Sequence, residues 1–338
     1  MTDQMTRITL ARRPDGLPVP EDFAFETQPL PKPGAGEVLV EVTWLSLDPY
    51  MRGRMNAVAS YAPYVELGEV MVGQGVGRVL ASGDDGFAPG DVVTGMTGWA
   101  SHALLPAGDL RKLDGDLPES TALGVLGMPG FTAWAGLRAY GRPKSGETLV
   151  VAAATGPVGS MVGQLAKAAG LRTVAIAGGA EKCALAVDKF GFDASIDHKA
   201  HEDASSLRKA LAEVAPDGVD IYWENVGGKV LEAVVPLMNV AGRIPVCGTI
   251  AWYSATPEGP NTLPMVWRSI LTKRLSVNGL IIFDHWDDYP TFLNEVTPMV
   301  AGDKIAYEED VTDGLDNMPQ AFIDMLQGGM TGKTLIRL

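Results

Sequence analysis

Two patterns of apolar and polar positions divide the chain. Over roughly the first 120 residues, short β-branched runs alternate with glycine- and proline-containing turns: Glu37-Val38-Leu39-Val40-Glu41-Val42 and Glu69-Val70-Met71-Val72-Gly73, then Gly75, Gly77 and Ala88-Pro89-Gly90-Asp91 ahead of Val92-Val93. These predict strands in a strongly bent sheet or small barrel. From about Glu147 the pattern changes. Apolar strand-like runs at 148–154, 172–177, 219–223 and 243–247 alternate with segments of helical period, as in βαβ units, and predict an α/β architecture with a doubly wound parallel sheet. Beyond about Gly302 the chain turns acidic and irregular, then ends in a helix-like 318–326 and a strand-like 334–338.

Composition narrows the function. At about 150 residues per domain, 338 residues suggest two domains, and 46% apolar residues are enough for two ordinary cores. A net charge of −14 with no Lys/Arg-rich run makes nucleic acid and anionic membranes poor partners. Two cysteines, Cys183 and Cys247, neither near a second thiol nor near a His pair, exclude a disulfide framework and a structural zinc lobe. No apolar stretch reaches the roughly 18 residues of a membrane span, and the N-terminus lacks a basic region followed by an apolar core; a soluble, cytoplasmic protein is expected.

The most informative stretch is Leu149-Val150-Val151-Ala152-Ala153-Ala154-Thr155-Gly156-Pro157-Val158-Gly159-Ser160. A buried-type strand runs straight into a Gly-x-x-Gly turn, with alanine where a dinucleotide fingerprint has its first glycine. A helix follows, because Val158, Met161, Val162, Leu165, Ala166 and Ala169 repeat at helical spacing and Gly170 stands where a C′ glycine belongs. Strand, tight turn and helix N-terminus together bring backbone N–H groups and the positive helix end against a pyrophosphate. A plain βα turn that merely uses glycine is the bland alternative.

The end of the second strand indicates which dinucleotide. An acid there would hold the ribose hydroxyls of NAD, but the sequence reads Ala177-Gly178-Gly179-Ala180-Glu181-Lys182. Glu181 falls in the first turn of the next helix, where acids are common, and Lys182 is placed either to meet a 2′-phosphate or to be a solvated helix lysine. NADPH is favoured. Two further clusters follow predicted strands: Tyr222-Trp223-Glu224-Asn225-Val226-Gly227-Gly228, and Cys247 to Tyr253, which leads into a Pro/Gly-rich loop at 256–264. Asn225 is a nicotinamide-ribose contact or part of an ordinary turn, and Tyr253 is a substrate-side hydroxyl or a packing aromatic. In the first half, Leu47-Asp48-Pro49-Tyr50-Met51-Arg52-Gly53-Arg54-Met55 is a substrate-facing loop or a salt-bridged turn. The four histidines are scattered.

These motifs, with Gly127-Met128-Pro129-Gly130-Phe131-Thr132-Ala133, Gly191-Phe192-Asp193 and Ile244-Pro245-Val246-Cys247-Gly248, resemble the zinc-independent medium-chain dehydrogenase/reductases. The similarity is greatest to the branch of leukotriene B4 12-hydroxydehydrogenase/prostaglandin reductase, alkenal double-bond reductases and bacterial NADPH-dependent curcumin reductases. The resemblance implies a GroES-like β-rich catalytic domain from residues 1–126 and 302–338 and a Rossmann domain at 127–301. It also implies a homodimer that reduces the carbon–carbon double bond of α,β-unsaturated aldehydes and ketones, without metal. By motif, Gly156, Pro157, Val158 and Gly159 would bind the pyrophosphate. Gly179, Lys182 and His198 would bind the 2′-phosphate end, and Thr132, Asn225, Cys247, Gly248, Thr249, Ile250 and Leu280 the nicotinamide half. Tyr253, with Tyr50, would serve catalysis. Two positions depart from the family: His198 stands where relatives have tyrosine, and Met330-Thr331-Gly332-Lys333 stands for Asn-x-Gly-Lys, which removes a side-chain contact to the cofactor. A quinone reductase of the same superfamily and a non-catalytic NADPH sensor are the rival readings. A zinc alcohol dehydrogenase is disfavoured by the cysteine count.

Overall fold

The computed structural model describes residues 3–254 and 262–338. The chain begins with β1 (Gln4–Leu10), β2 (Phe23–Pro29), β3 (Glu37–Ser46), a short helix α1 (Tyr50–Arg54), β4 (Gly75–Ser82), β5 (Val92–Gly95), β6 (His102–Pro106), β7 (Arg111–Lys112) and α2 (Met128–Gly136). Strands and helices then alternate: β8 (Thr148–Ala152), α3 (Pro157–Ala168), β9 (Arg172–Ala177), α4 (Ala180–Asp188), β10 (Ala194–Asp197), α5 (Ala204–Val214), β11 (Val219–Trp223), α6 (Gly228–Val234) and β12 (Met238–Val246). The last elements are α7 (Leu263–Lys273), β13 (Ser276–Gly279), α8 (Tyr289–Ala301), β14 (Glu309–Asp313), α9 (Met318–Leu326) and β15 (Lys333–Arg337).

Two compact units result, Met1–Gly127 with Glu309–Leu338, and Met128–Glu308. The chain returns to the first unit at Glu309 and not at 302. The stretch before it stays with the second unit, because Gln164 bonds both the N–H and the carbonyl of Ala306 and Lys189 pairs with Glu308.

In the first unit β3 is long enough to serve two partners along one edge, pairing with β6 through 37–41 and with β15 through 44–46, while β4 takes its other edge with two register shifts. Bulges of this kind bend a sheet, which is how one apolar run supports a strongly curved wall. The run 69–73 is not a strand. It makes only an isolated bridge, Thr9 to Val70, and β4 begins at Gly75. The N–H of Leu10 goes to Glu69 and that of Met71 to Ile8, while the carbonyls of Met71 and Gly73 accept from Trp99 and Gly98, so the segment is divided between β1 and the 98–99 turn. The core beside it stacks Phe23, Trp99 and Phe322, with ring centroids 5.3–6.4 Å apart.

The second unit is a six-stranded parallel sheet in the order β10-β9-β8-β11-β12-β13. Strand order reverses between β8 and β11, and ligands of open α/β sheets bind at that switch point, beyond the carboxyl ends of the strands. Every residue of β8 is buried, as expected for a strand covered on both faces. It ends at Ala152, two residues before the apolar run does, because Ala153 takes a left-handed φ of 51° and starts the turn. Among the described residues no helix is long and apolar enough to cross a membrane.

Candidate active site

The turn after β8 is shaped by close backbone contacts. Gly156 caps α3 with an extended conformation, Pro157 opens the helix, and Gly156 N–H bonds Ala153 O at 3.2 Å. A Cβ on Gly159 would lie 2.4 Å from Ala153 O and 2.9 Å from Ala154 Cα, so this glycine lets the helix press onto the strand end. A Cβ on Gly156 meets only Ala153 O, at 3.4 Å, and otherwise points into open space. The N–H groups of Val158 and Gly159 belong to the first helical turn, where the backbone has no intrahelical acceptor.

At the ends of β9 and β10 the structure groups Lys182, His198, Lys199 and Lys229. Gly179, at φ 100°, donates its N–H to Asp197 Oδ1 at 2.8 Å, and a Cβ on Gly178 would come within 3.0 Å of His198 Nε2. Lys229 Nζ bonds the carbonyls of His198 and His201 at 2.9 and 2.5 Å. Burial, then Lys229, with Lys199 and Lys182 adding, hold the His198 imidazole below its ordinary value, opposed by Asp197. The Gly179 N–H in turn keeps the Asp197 carboxyl low. That carboxylate is occupied by the Gly179 and Lys199 N–H groups.

The carboxyl ends of β11 and β12 are joined. Asn225 Nδ2 donates to Ala152 O at 2.8 Å and Asn225 Oδ1 accepts the Trp223 indole N–H at 3.1 Å, so the side chain ties this turn to the end of β8. The 247–253 segment folds back on it, with Ile250 N–H on Asn225 O at 3.3 Å and Ala251 N–H on Val226 O at 3.0 Å. Gly227 and Gly228 are both left-handed, and the Trp252 ring lies where a Gly227 Cβ would be. The Tyr253 hydroxyl accepts the Thr249 N–H at 3.3 Å and stands over Gly248. Of the predicted loop at 256–264, residues 256–261 lie outside the described residues, and α7 begins at Leu263.

Other expected contacts are partly committed elsewhere. The Thr132 hydroxyl bonds Met128 O at 2.7 Å within α2. Leu280 is buried and packs where a Cβ of Gly136 would be, and its N–H bonds Val246 O at 3.0 Å, so only its backbone lies at the strand end. In the first unit Tyr50 opens α1, with Arg54 5.8 Å from its ring centroid. Burial, then Asp48, push its hydroxyl well above the ordinary tyrosine value. Below it, buried Lys333 bonds Leu47 O at 2.6 Å and Asp48 Oδ1 at 3.0 Å. At the C-terminal departure, Thr331 and Gly332 give their N–H groups to Asp310.

A family model described as the N-terminal domain of oxidoreductase matches residues 6–113, and one described as zinc-binding dehydrogenase matches 157–297. An NADPH-dependent curcumin reductase of Escherichia coli (strain K12) is 51% identical, with 98% of this chain and 96% of the relative covered. The chain belongs to the medium-chain dehydrogenase/reductases. A tobacco 2-alkenal reductase (NADP(+)-dependent) is 43% identical over 90% of this chain and 88% of its own length. A solved structure of CurA from Vibrio vulnificus in complex with NADPH is 47% identical, with a TM-score of 0.92 and 98% of both chains covered. The fold is the one the resemblance implies, with one mixed β-rich unit and one doubly wound parallel sheet. Although one matching model carries zinc in its name, among the described residues no three His, Cys, Asp or Glu side chains are grouped so as to hold a metal ion.

For a member of this family, the chain's cradle suits an NADP-type dinucleotide. The Gly156 face is open, and at the adenosine end lysines gather about His198 while the Asp197 carboxylate is taken up by backbone N–H groups. Sequence reasoning missed Lys229, which only tertiary folding carries to His198, and Glu224, whose one signal was a carboxylate directly after the apolar Ile221-Tyr222-Trp223.

Proposed function

We propose that this chain reduces the carbon–carbon double bond of α,β-unsaturated aldehydes and ketones with NADPH. The observation that carries the cofactor choice is the grouping of Lys182, Lys199 and Lys229 about His198 where an NAD-specific site would present an acid. The names of the E. coli and tobacco relatives support the substrate class. Gly156 to Gly159 take the pyrophosphate, Gly179 and Lys182 with His198 the 2′-phosphate end. The joined 225–228 and 247–253 segments, with Thr132 and Leu280, take the nicotinamide half. Bound there, NADPH supplies the hydride that the β-carbon of an enone accepts.

The protein's part is to stabilise the negative charge that develops on the carbonyl oxygen. The Tyr253 hydroxyl, which accepts the Thr249 N–H and stands over Gly248, is the group assigned to meet that oxygen. The Tyr50 hydroxyl, also assigned to catalysis, stays protonated across the physiological range, because burial, then Asp48, raise its pKa. Water suffices for the proton at the α-carbon. A cytoplasmic location and a homodimer belong to the same proposal. Two free thiols, Cys183 and Cys247, support the first. The second is supported by β13 at the end of the sheet and by exposed Leu263, Trp267 and Leu271 at four-residue spacing on α7. Cell fractionation and light scattering test these two.

The test of the activity is NADPH consumption over alkenals, cyclic enones and quinones with product identification. Saturation of the double bond is expected. Reduction of the carbonyl, or turnover of quinones alone, overturns the reading.

A further inference from the structure

Glu224 directly follows β11 and is 2% exposed. Its carboxylate takes three donors: the Tyr222 hydroxyl on Oε2 at 2.9 Å, and the N–H groups of Val226 and Gly227 on Oε1 at 2.5 and 2.8 Å. Its carbonyl takes two more, Cys247 N–H at 2.9 Å and Gly248 N–H at 3.2 Å. One residue therefore grips both segments that meet beyond the strand ends, one with its side chain and the other with its backbone. We propose that Glu224 is a positioning residue for the reduction, holding the 225–228 turn and the 247–253 segment as one platform for the nicotinamide half of the cofactor. The role rests on the double-bond reduction proposed above.

The carboxylate is not there for stability. Burial raises the Glu224 pKa, and the donors from Val226, Gly227 and Tyr222 only partly offset it. An acid whose folded pKa lies above its unfolded one loses stability as pH rises from the unfolded to the folded value, so at neutral pH the ionised group is a net cost to the fold. A neutral isostere should fold at least as well. What the ionised form provides is a strong acceptor for two backbone N–H groups, which fixes a turn whose two glycines have little stiffness of their own. The other titratable groups around it are Tyr222, held well above its ordinary value by burial and Glu224, and Cys247, whose thiol burial pushes up to about 12 with Glu224 adding. Both stay neutral through the assay range.

The experiment measures melting, NADPH binding and the pH dependence of kcat for the full chain with one simple enone, in wild type, Glu224→Gln and Tyr222→Phe. Wild-type kcat should fall as acid protonates Glu224, at a pH above the usual glutamate range. Glu224→Gln should melt at or above wild type near neutral pH, show kcat lower by roughly tenfold with a smaller change in NADPH binding, and lack that acid limb. Tyr222→Phe removes one donor to the carboxylate and should move the limb to higher pH while leaving the plateau. Wild-type kcat and an unchanged limb in Glu224→Gln overturn the proposal. So does a loss of kcat that only parallels a lower melting temperature, or, should Glu224→Gln fail to fold, an unmoved limb in Tyr222→Phe. Absence of wild-type turnover with any enone would instead overturn the functional reading.

Discussion

Replacing Gly156 by alanine separates a residue needed by the fold from one needed by the ligand. The backbone there, φ −64° and ψ 165°, is open to any L-residue, and the new Cβ would meet nothing closer than Ala153 O at 3.4 Å. Loss of unfolded-chain entropy stabilises such a Gly→Ala change by about 0.4–1 kcal/mol, and the weaker helix cap takes back about 0.5–1 kcal/mol. The melting temperature should barely move. Where a pyrophosphate must touch the backbone, however, the methyl holds it off and weakens charge-assisted hydrogen bonds of about 1.5–3 kcal/mol each, so NADPH affinity should fall roughly ten- to hundredfold. Gly159→Ala is the control. Its Cβ would sit 2.4 Å from Ala153 O, about 1 Å inside normal contact, and that overpacking should cost about 1–3 kcal/mol and several degrees of melting temperature. Fluorescence titration with NADPH and thermal melts of both variants decide the matter. A Gly156→Ala protein that melts normally and binds NADPH within about twofold of wild type would refute the pyrophosphate assignment.

Lys182→Ala should weaken NADPH by roughly tenfold and leave NADH almost untouched, since only the former carries the 2′-phosphate; equal losses would make Lys182 a surface lysine. His198, held low by burial and the lysines, is neutral at pH 7, so His198→Gln should match wild type in NADPH affinity between about pH 7 and 8. Because the unfolded chain takes up this proton first, the His198 contribution to stability falls as pH drops through about 6.5. A difference between the two proteins in the slope of affinity above pH 7 would count against the assignment. Tyr253→Phe should lower kcat by about one to two decades with NADPH binding unchanged, because one oxyanion-type donor is worth at most about 2.7–4 kcal/mol and others remain. Steady-state kinetics with one enone test it, and unchanged kcat would leave Tyr253 a packing residue.

Local chemistry made much of the nucleotide unit readable in the amino-acid sequence. The largely apolar runs of β9 and β11 and the stripe of α3 with its Gly170 terminator are properties of neighbouring residues: a strand covered on both faces is mostly apolar, and a helix must repeat its apolar positions every three or four. The glycines that let Gly159 press on Ala153 and Gly227 turn left-handed are local requirements too. The fate of 69–73 was not readable. A β-branched run has strand propensity wherever it stands, and only the position of β1 decided that this one would make a single bridge. Charges and polar groups distant in sequence depended on the fold altogether. Lys229 reaches the His198 carbonyl from 31 positions away, the segment after β12 closes over Asn225, and Lys333 buries its ammonium against Asp48 from the other end of the chain. Sequence by itself determined most short elements of the nucleotide unit and where glycine lets backbone come close, since both follow from sterics within a few residues. The tertiary structure decided which polar groups share a pocket, whether Asn225 and Thr132 spend their hydrogen bonds on the fold, and that Glu224 stands buried between two loops, because these depend on strand order and on burial, which no local pattern encodes.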